Sequence, residues 1–97
     1  MKKVISGKLY NTKTAKEIDT LVVGNGRNDF HGYIETLYVT KNGNFFLYGE
    51  GWGKYMKPSS MGSGYARGEG TIIAITEKTA EAWVEENCDA ETFEELF

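Results

Sequence analysis

The chain has one cysteine, one histidine and one proline, and it has no long apolar run. A lone cysteine cannot form an internal disulfide, which is typical of a protein of the reducing cytoplasm, where we expect this one. One cysteine and one histidine also exclude a zinc site built from those residue types. No stretch approaches the roughly 18 apolar residues of a membrane-spanning helix, and the N-terminal segment turns polar too early for a signal peptide. We therefore expect no membrane association.

The remaining composition is sufficient for one small folded domain. The chain has 97 residues, 40% of them hydrophobic and 13% aromatic, so we expect a single domain over residues 1–97. Residues 1–75 carry ten Lys or Arg against six Asp or Glu, and the last 22 residues carry one against eight. These balances, +4 and −7, add to the net charge of −3. The sequence thus predicts a mildly basic body with an acidic C-terminal end.

Short runs rich in β-branched and aromatic residues predict antiparallel strands. The predicted strands are residues 4–10, 15–23, 34–40, 45–50 and 71–75. Turn-forming residues at 11–14 join the first two strands into a hairpin. Asn42-Gly43, the strongest short-range hairpin signal, joins the next two through a two-residue turn. We expect an α+β fold whose antiparallel sheet has about five strands, made of two hairpins plus one strand.

The C-terminal quarter predicts a helix packed on that sheet. Thr76 is an N-cap for a helix over residues 77–87. Its apolar side chains form one stripe at helical spacing, namely Ala80, Trp83, Val84 and Cys88. Because a stripe of this kind needs an apolar partner, we expect it to cover the sheet. Asp89 is positioned to cap a second short helical turn.

Residues 51–70 have no periodicity and contain six glycines, which predicts a long loop. The loop carries side chain types that dominate protein interfaces, and our candidate partner-binding residues there are Trp52, Lys54, Tyr55, Tyr65 and Arg67. The same mixture also suits stacking on single-stranded bases, with lysines on phosphates. A third interpretation is that Trp52 and a tyrosine fold back as a lid over the sheet.

The acidic end supplies a second candidate surface, with Glu81, Glu85 and Asp89 as its partner-binding residues. A fixed negative surface can dock on a basic groove and mimic or displace nucleic acid there. The alternative is that these charges are only the solvated face of a terminal helix. An acidic protein is a poor general nucleic-acid binder, so we expect a protein partner and no direct binding of nucleic acid.

A two-residue turn at Asn42-Gly43 would place Glu35 directly opposite Glu50. Such a pair suggests a divalent-metal site or a general acid–base pair. Alternatively, Lys54 or Arg67 reaches back as a counter-ion.

The glycine-rich segments lack the spacing of a phosphate-binding loop, and the serines lack the neighbouring base that a catalytic nucleophile requires. We therefore expect a protein without catalytic residues, cofactor or metal.

A set of short motifs extends from about Lys8 to Phe97. The motifs are Glu35-Thr36-Leu37-Tyr38, Gly43, Phe45-Phe46-Leu47-Tyr48-Gly49-Glu50-Gly51, Lys54-Tyr55, Ile72 to Thr76, Glu81-Ala82-Trp83, Asp89-Ala90 and Phe93-Glu94. Together they resemble a family of small proteins from phages and mobile elements of Gram-positive bacteria. In that family the domain occurs alone or beside a helix-turn-helix, near anti-CRISPR genes, and members include suspected or actual inhibitors of CRISPR effectors. After Gly51 this chain has Trp52-Gly53 where the family has a longer polar insert.

The resemblance implies a non-enzymatic inhibitor that binds a host defence protein, most plausibly a Cas9-type nuclease. Such effectors hold guide and target in positively charged channels, where an acidic surface can compete. The residues leave two alternatives open. One is a single-stranded nucleic-acid or RNA accessory module that uses the loop aromatics, and the weaker one is a metal-dependent enzyme around Glu35 and Glu50.

Overall fold

The computed structural model describes residues 1–25, 29–59 and 64–97. The fold is α+β, as predicted, with a central antiparallel sheet of four strands, which lie side by side in the order Lys16–Val23, Tyr33–Val39, Phe45–Gly51 and Gly68–Ile75. The strands are β1 Lys2–Ile5, β2 Lys8–Asn11, β3 Lys16–Val23, β4 Tyr33–Val39, β5 Phe45–Gly51, β6 Lys57–Pro58, β7 Tyr65–Ala66 and β8 Gly68–Ile75. Three helices accompany them in the described ranges, a short 3-10 helix Gly53–Tyr55 and the α-helices α1 Glu77–Asn87 and α2 Ala90–Leu96.

The N-terminal hairpin differs from the prediction. Residues 4–10 do not form one strand paired with residues 15–23, because the chain reverses at Ser6-Gly7 and pairs β1 with β2. Ser6 and Gly7 both have positive φ, at 51° and 77°, which is the geometry of a type I′ hairpin turn. Strand β3 pairs with β4 instead. The turn formers at 11–14 therefore connect a separate small hairpin to the central sheet.

The second hairpin forms as predicted, but its register differs by one residue. Its strands are separated by residues 40–44, and Thr40 N donates to Asn44 O at 2.9 Å. Gly43 alone takes a positive φ, 82°, so the turn contains an additional residue. Glu35 consequently pairs with Gly49, and Glu50 pairs with Ile34. Because successive side chains of a strand point to opposite faces, Glu35 and Glu50 lie on different faces, and the predicted facing pair of carboxylates is wrong.

The C-terminal helices agree with the sequence prediction. Thr76 caps α1 by accepting a hydrogen bond from Thr79 N, and Asp89 caps α2 by accepting one from Thr92 N. The apolar stripe of α1 packs on one face of the sheet in a cluster of buried side chains. This first core contains Leu37, Phe45, Leu47, Ala80, Trp83 and Val84, and Cys88, Phe93, Leu96 and Phe97 pack against it half-buried. The prediction that the stripe covers the sheet is confirmed.

The opposite face of the sheet holds a second core beneath the β1–β2 hairpin. Tyr10 packs edge-on against Phe46, with ring centroids 5.4 Å apart, and Ile72 completes the buried cluster. Phe46 alternates along β5 with Phe45 and Leu47 of the first core, which places the hairpin and the helices on opposite sides of the sheet. The fold is therefore three-layered where the hairpin lies.

The predicted loop over residues 51–70 is more ordered than its composition suggests. Gly51 ends β5, and Gly68 already belongs to β8. Between them lie the 3-10 helix and the two-residue strands β6 and β7, which pair with each other. Residues 60–63 of the predicted loop lie outside the described residues. Across the described ranges, no helix has the length and apolar content that a membrane crossing requires.

Candidate functional site

The outward side of α1 and α2 carries the acidic surface that the sequence predicts. We define this acidic surface by its eight carboxylates, Glu77, Glu81, Glu85, Glu86, Asp89, Glu91, Glu94 and Glu95. Glu81 is half-buried and the other seven are exposed. Glu77, Glu81 and Glu85 follow one another at four-residue spacing, which separates them by about 6 Å along the helix axis. The apolar side chains on the inner side of both helices pack in the first core, which fixes the positions of the helices and therefore of their carboxylates.

Half of this acidic surface works against the stability of its own helices, whereas Glu77, Asp89 and Glu91 lie at the helix N-termini, where negative charge is favourable. Neither helix has a basic residue in its last turn, so Glu85, Glu86, Glu94 and Glu95 lie at the helix ends that favour positive charge. Like charges four residues apart also repel, by about 0.2–0.5 kcal/mol per pair. Within the described part of the chain, none of the glutamates of this surface lies within ion-pair distance of a lysine or arginine. Local helix stability therefore does not account for the carboxylates at the C-terminal ends of the two helices.

A buried carboxylate, Glu35, lies at the centre of the helix-covered face. Its side chain is 3% exposed and accepts three hydrogen bonds. Trp83 Nε1 donates to Oε1 at 2.7 Å, and Oε2 accepts from Tyr55 Oη at 2.6 Å and from Lys54 Nζ at 3.1 Å. Glu35 thus connects the 3-10 helix to α1 across the sheet. The prediction that Lys54 reaches back as a counter-ion is confirmed.

The electrostatics of this network keep Glu35 ionised. Burial by itself raises the pKa of Glu35, but the hydrogen bonds from Tyr55, Trp83 and Lys54 and the charge of Lys54 outweigh it, so the pKa lies below its ordinary value. Burial and the hydrogen bond to Glu35 raise the pKa of Tyr55 far above the usual range. The tyrosine remains a neutral donor at physiological pH.

Tyr55, one of the predicted partner-binding residues, is an interior residue, in the manner of the alternative in which a loop tyrosine folds back over the sheet. It is 6% exposed, and its ring lies directly on Gly49, where any Cβ would overlap it. The ring also packs edge-on against Tyr33, with centroids 5.6 Å apart. The sequence signal for this placement is the glycine at position 49, which pairs with Glu35 in the neighbouring strand. Because glycine has no side chain, it leaves space on the sheet for the ring of Tyr55.

The other loop candidates remain at the surface. Trp52 is half-buried and its ring packs on that of Phe30, with centroids 5.3 Å apart, while Phe30 itself is 51% exposed. Tyr65 in β7 is 60% exposed, and Arg67 between β7 and β8 is half-buried. Lys54 is half-exposed, although its Nζ is held by Glu35. The structure therefore brings Lys54 and Tyr55 together around Glu35 and leaves Trp52 and Tyr65 outside that network.

The remaining reactive side chains do not form a metal centre in the described ranges, which hold no group of three or more His, Cys, Asp or Glu suited to a metal ion. Cys88 Sγ lies 3.4 Å from Asp19 Oδ2 and donates to it. Burial, with the hydrogen bond to Asp19, raises the pKa of Cys88 to about 11. The thiol is therefore protonated, and a protonated thiol is a poor nucleophile and metal ligand.

Sequence reasoning missed the role of Trp83. Its place in the apolar stripe identified it as a core residue, and the ring is indeed buried, but its indole N–H also binds the carboxylate of Glu35. The available signal was the position of Glu35 in β4, at the same two-residue spacing as Tyr33, Leu37 and Val39. A charged residue at a core-facing position predicts buried donors around it.

Comparisons with known proteins add no relative to this description. No known protein family, no curated protein and no solved structure matches the chain.

Proposed function

We propose that this chain is a non-enzymatic inhibitor that binds a host protein through its acidic surface on α1 and α2. The observation that carries the proposal is that the glutamates lie without ion-pair partners among the described residues, and that four of them, Glu85, Glu86, Glu94 and Glu95, lie against the helix dipoles. A surface in which several charges cost their helices stability, yet which stands on a fixed core, has the properties of a docking surface. The complementary partner surface is basic.

A groove that normally holds nucleic acid fits this requirement best. Such grooves concentrate positive charge along a line, and the carboxylates at positions 77, 81 and 85 present negative charge along a line of about 12 Å, two steps of four residues. A rigid acidic helix loses little conformational entropy on docking, which favours it over a flexible acidic tail. The protein would occupy the groove and exclude the nucleic acid.

The partner that we propose is a Cas9-type nuclease. The motif resemblance supports this choice, as does the positively charged channel in which such effectors hold the guide–target duplex. On this proposal the protein is encoded by a phage or mobile element and acts in the bacterial cytoplasm. Inhibition would be stoichiometric, with one inhibitor occupying one channel.

The experiment mixes the purified protein with effector and guide RNA and measures co-elution and cleavage of a target duplex. We expect Glu81→Gln with Glu85→Gln to weaken inhibition while slightly raising the melting temperature, because the substitutions remove repulsion within α1. The matched control is Asn25→Lys with Thr71→Lys, two exposed positions outside the helices that change the net charge by the same +2. Control and helix variants that weaken inhibition equally would contradict a localised acidic site, and no co-elution with undiminished cleavage would remove the Cas9 assignment.

A second candidate function rests on the exposed aromatic side chains at the other end of the sheet. Phe30 packs on Trp52, and both Phe30 and Tyr65 are more than half exposed. Stacked aromatic side chains of this kind can bind unpaired bases, at about 1–3 kcal/mol per base. A single-stranded nucleic-acid module would lose oligonucleotide binding on Trp52→Ala. Unchanged binding in that variant would exclude this second candidate.

A further inference from the structure

A groove runs along the end of the molecule where the β1–β2 turn, residues 14–16 and the β4–β5 turn meet. It consists of two adjoining hollows of about 310 and 350 Å³, which share Thr14, Thr40 and Lys41. Lys8 lines the first hollow and Lys16 the second. We call this feature the lysine groove. It exists only because the N-terminal segment folds as its own hairpin and lies beside the β4–β5 turn.

The lining of the lysine groove is that of an anion site. Its three lysines are exposed, and two threonines and two asparagines line the groove with them. Among the described residues, no aspartate or glutamate lines either hollow. Two hydrogen bonds hold the walls of the groove in place. Thr40 Oγ1 accepts from Asn44 N at 3.0 Å within the β4–β5 turn, and Lys8 Nζ donates to Asn44 Oδ1 at 3.4 Å between the two hairpins.

The surroundings extend the positive charge beyond the groove. Lys2 and Lys13 line a further hollow, and Lys13 precedes Thr14 of the groove in the chain. The helices that carry the acidic surface cover one face of the sheet and the hairpin covers the other. The two regions adjoin at the edge of the groove, where Lys16 also lines a hollow with Glu17 and with Glu95 of the acidic surface. The net charge of −3 therefore does not describe the field at this end of the molecule. A local basic region can attract anions on a protein that is acidic overall.

We propose that the lysine groove binds the phosphate groups of a nucleic-acid strand. Lysines are point charges that suit phosphate oxygens, and hydroxyl and amide groups add hydrogen bonds to them. In the part of the chain that the structure describes, no aromatic side chain lines the two hollows, so binding contacts the backbone and does not read bases. An extended strand fits better than a single nucleotide, since Lys8, Lys41 and Lys16 are spread over two hollows and the neighbouring lysines continue the charge.

This inference goes beyond the proposed function, because it concerns side chains of the opposite charge and a different ligand. A protein with both surfaces could contact a nucleoprotein complex at two points, with carboxylates on the protein and lysines on its nucleic acid. The two proposals fail separately. Loss of the acidic surface leaves the lysine groove intact, and the reverse also holds.

The test measures binding of the full chain to a labelled single-stranded oligonucleotide of mixed sequence by fluorescence anisotropy over a range of salt concentrations. Three phosphate contacts predict a slope of about −2 for log K against log salt concentration, at about 0.7 per contact on a single strand. Absence of binding at low salt would overturn the proposal. Competition by inorganic phosphate or ATP at the same charge concentration as the strand would overturn the assignment to a polymer.

The decisive comparison uses two double variants of equal net charge. Lys8→Gln with Lys41→Gln removes two groove lysines, and Lys57→Gln with Lys78→Gln removes two exposed lysines elsewhere, so each changes the net charge from −3 to −5. We expect the groove variant to lose about tenfold in affinity at low salt and to reduce the slope to about −0.7, with the control near wild type. Equal losses in both variants would overturn the site.

Further variants separate the remaining explanations. Asn42→Glu inserts a carboxylate into the groove at an exposed turn position, and we expect it to abolish binding while the circular dichroism spectrum and melting temperature are retained. Glu81→Gln with Glu85→Gln should bind the strand as tightly as wild type or slightly tighter. If the groove variant instead abolishes self-association and leaves strand binding unchanged, the groove holds the acidic surface of a second copy and the proposal is wrong.

Discussion

Replacing Glu35 tests whether the buried network stabilises the fold. Glu35→Ala removes the acceptor of two interior donors, Tyr55 Oη and Trp83 Nε1. Lys54 is affected less, because its side chain is 49% exposed and returns to water. Glu35→Gln is the milder change. It keeps one oxygen for Trp83, and the amide N–H can donate to Tyr55 Oη if that hydroxyl turns, but the charge on all three contacts is lost.

The magnitudes follow from the cost of unsatisfied and weakened hydrogen bonds. Each buried donor left without an acceptor costs about 1–3 kcal/mol, so Glu35→Ala should lower the free energy of unfolding by about 4 kcal/mol. In Glu35→Gln, two charge-assisted hydrogen bonds become neutral ones, which differ by about 1 kcal/mol each, so we expect a loss of about 2 kcal/mol. The exposed Lys54 contact adds about 1 kcal/mol or less. Domains of this size have about 5–15 kcal/mol in total.

The assay is urea unfolding at neutral pH, followed by circular dichroism and tryptophan fluorescence. Glu86→Gln, an exposed carboxylate of α1, is the control and should remain within about 0.5 kcal/mol of wild type. A double-mutant cycle of Glu35→Gln with Tyr55→Phe should give a coupling energy of about 1 kcal/mol, because the two side chains are in direct contact. Glu35→Gln as stable as wild type would refute the reasoning, since burying the charge would then cost as much as its hydrogen bonds return.

Other predictions follow from the same contacts. The pKa of Glu35 is lowered in the folded state, so its stabilisation is present above its unfolded pKa near 4.5 and is lost as the pH falls through the lower folded value. The difference in unfolding free energy between wild type and Glu35→Gln should therefore shrink in urea titrations below that pH. Gly49→Ala should cost about 3 kcal/mol or more, since the added Cβ overlaps the ring of Tyr55, and chemical denaturation measures it. Thr76→Ala should lower stability by about 1 kcal/mol by removing the α1 N-cap. Cys88, whose pKa is raised to about 11, should react slowly with iodoacetamide at neutral pH until the chain is unfolded.

The helices could be predicted from the sequence because their signals are local. Thr76 and Asp89 supply side-chain acceptors one turn before the first helical amides that need them. The stripe of Ala80, Trp83 and Val84 fixes which side of α1 is buried. Both signals lie within the helical segments themselves, so neither depends on how distant parts of the chain fold.

The hairpins could be predicted only in part because turn type decides register. The apolar residues on both sides of Ser6-Gly7 predict one continuous strand, whereas the positive φ of both turn residues reverses the chain within two residues. At the other turn, Asn42-Gly43 predicted the hairpin but not its length, because Asn42 does not adopt positive φ and only Gly43 does. One additional turn residue moved Glu50 to the face opposite Glu35. A catalytic or metal hypothesis that depended on their pairing failed for this reason.

The network around Glu35 could not be assembled from local patterns. Its donors come from positions 20 and 48 residues further along the chain, and only the folding of α1 and the 3-10 helix over the same sheet face brings them together. The sequence does show that Glu35 is unusual, because it places a carboxylate at a core-facing position of β4. The physical requirement that such a group be paired then predicts buried donors, but not which ones.

Net charge also says nothing about how the charges are placed in space, so it is a weak argument about binding partners. A net charge of −3 predicts poor binding of nucleic acid, yet that sum averages over a basic and an acidic surface, which adjoin where Lys16 and Glu95 line one hollow. Exposed charges further apart than about 8–10 Å are largely screened from each other at physiological salt, so a ligand at the lysine groove responds to Lys8 and Lys41 before it responds to the glutamates of α1. Binding at either surface should consequently depend on salt with its own slope. Variants of one surface should leave the slope of the other unchanged.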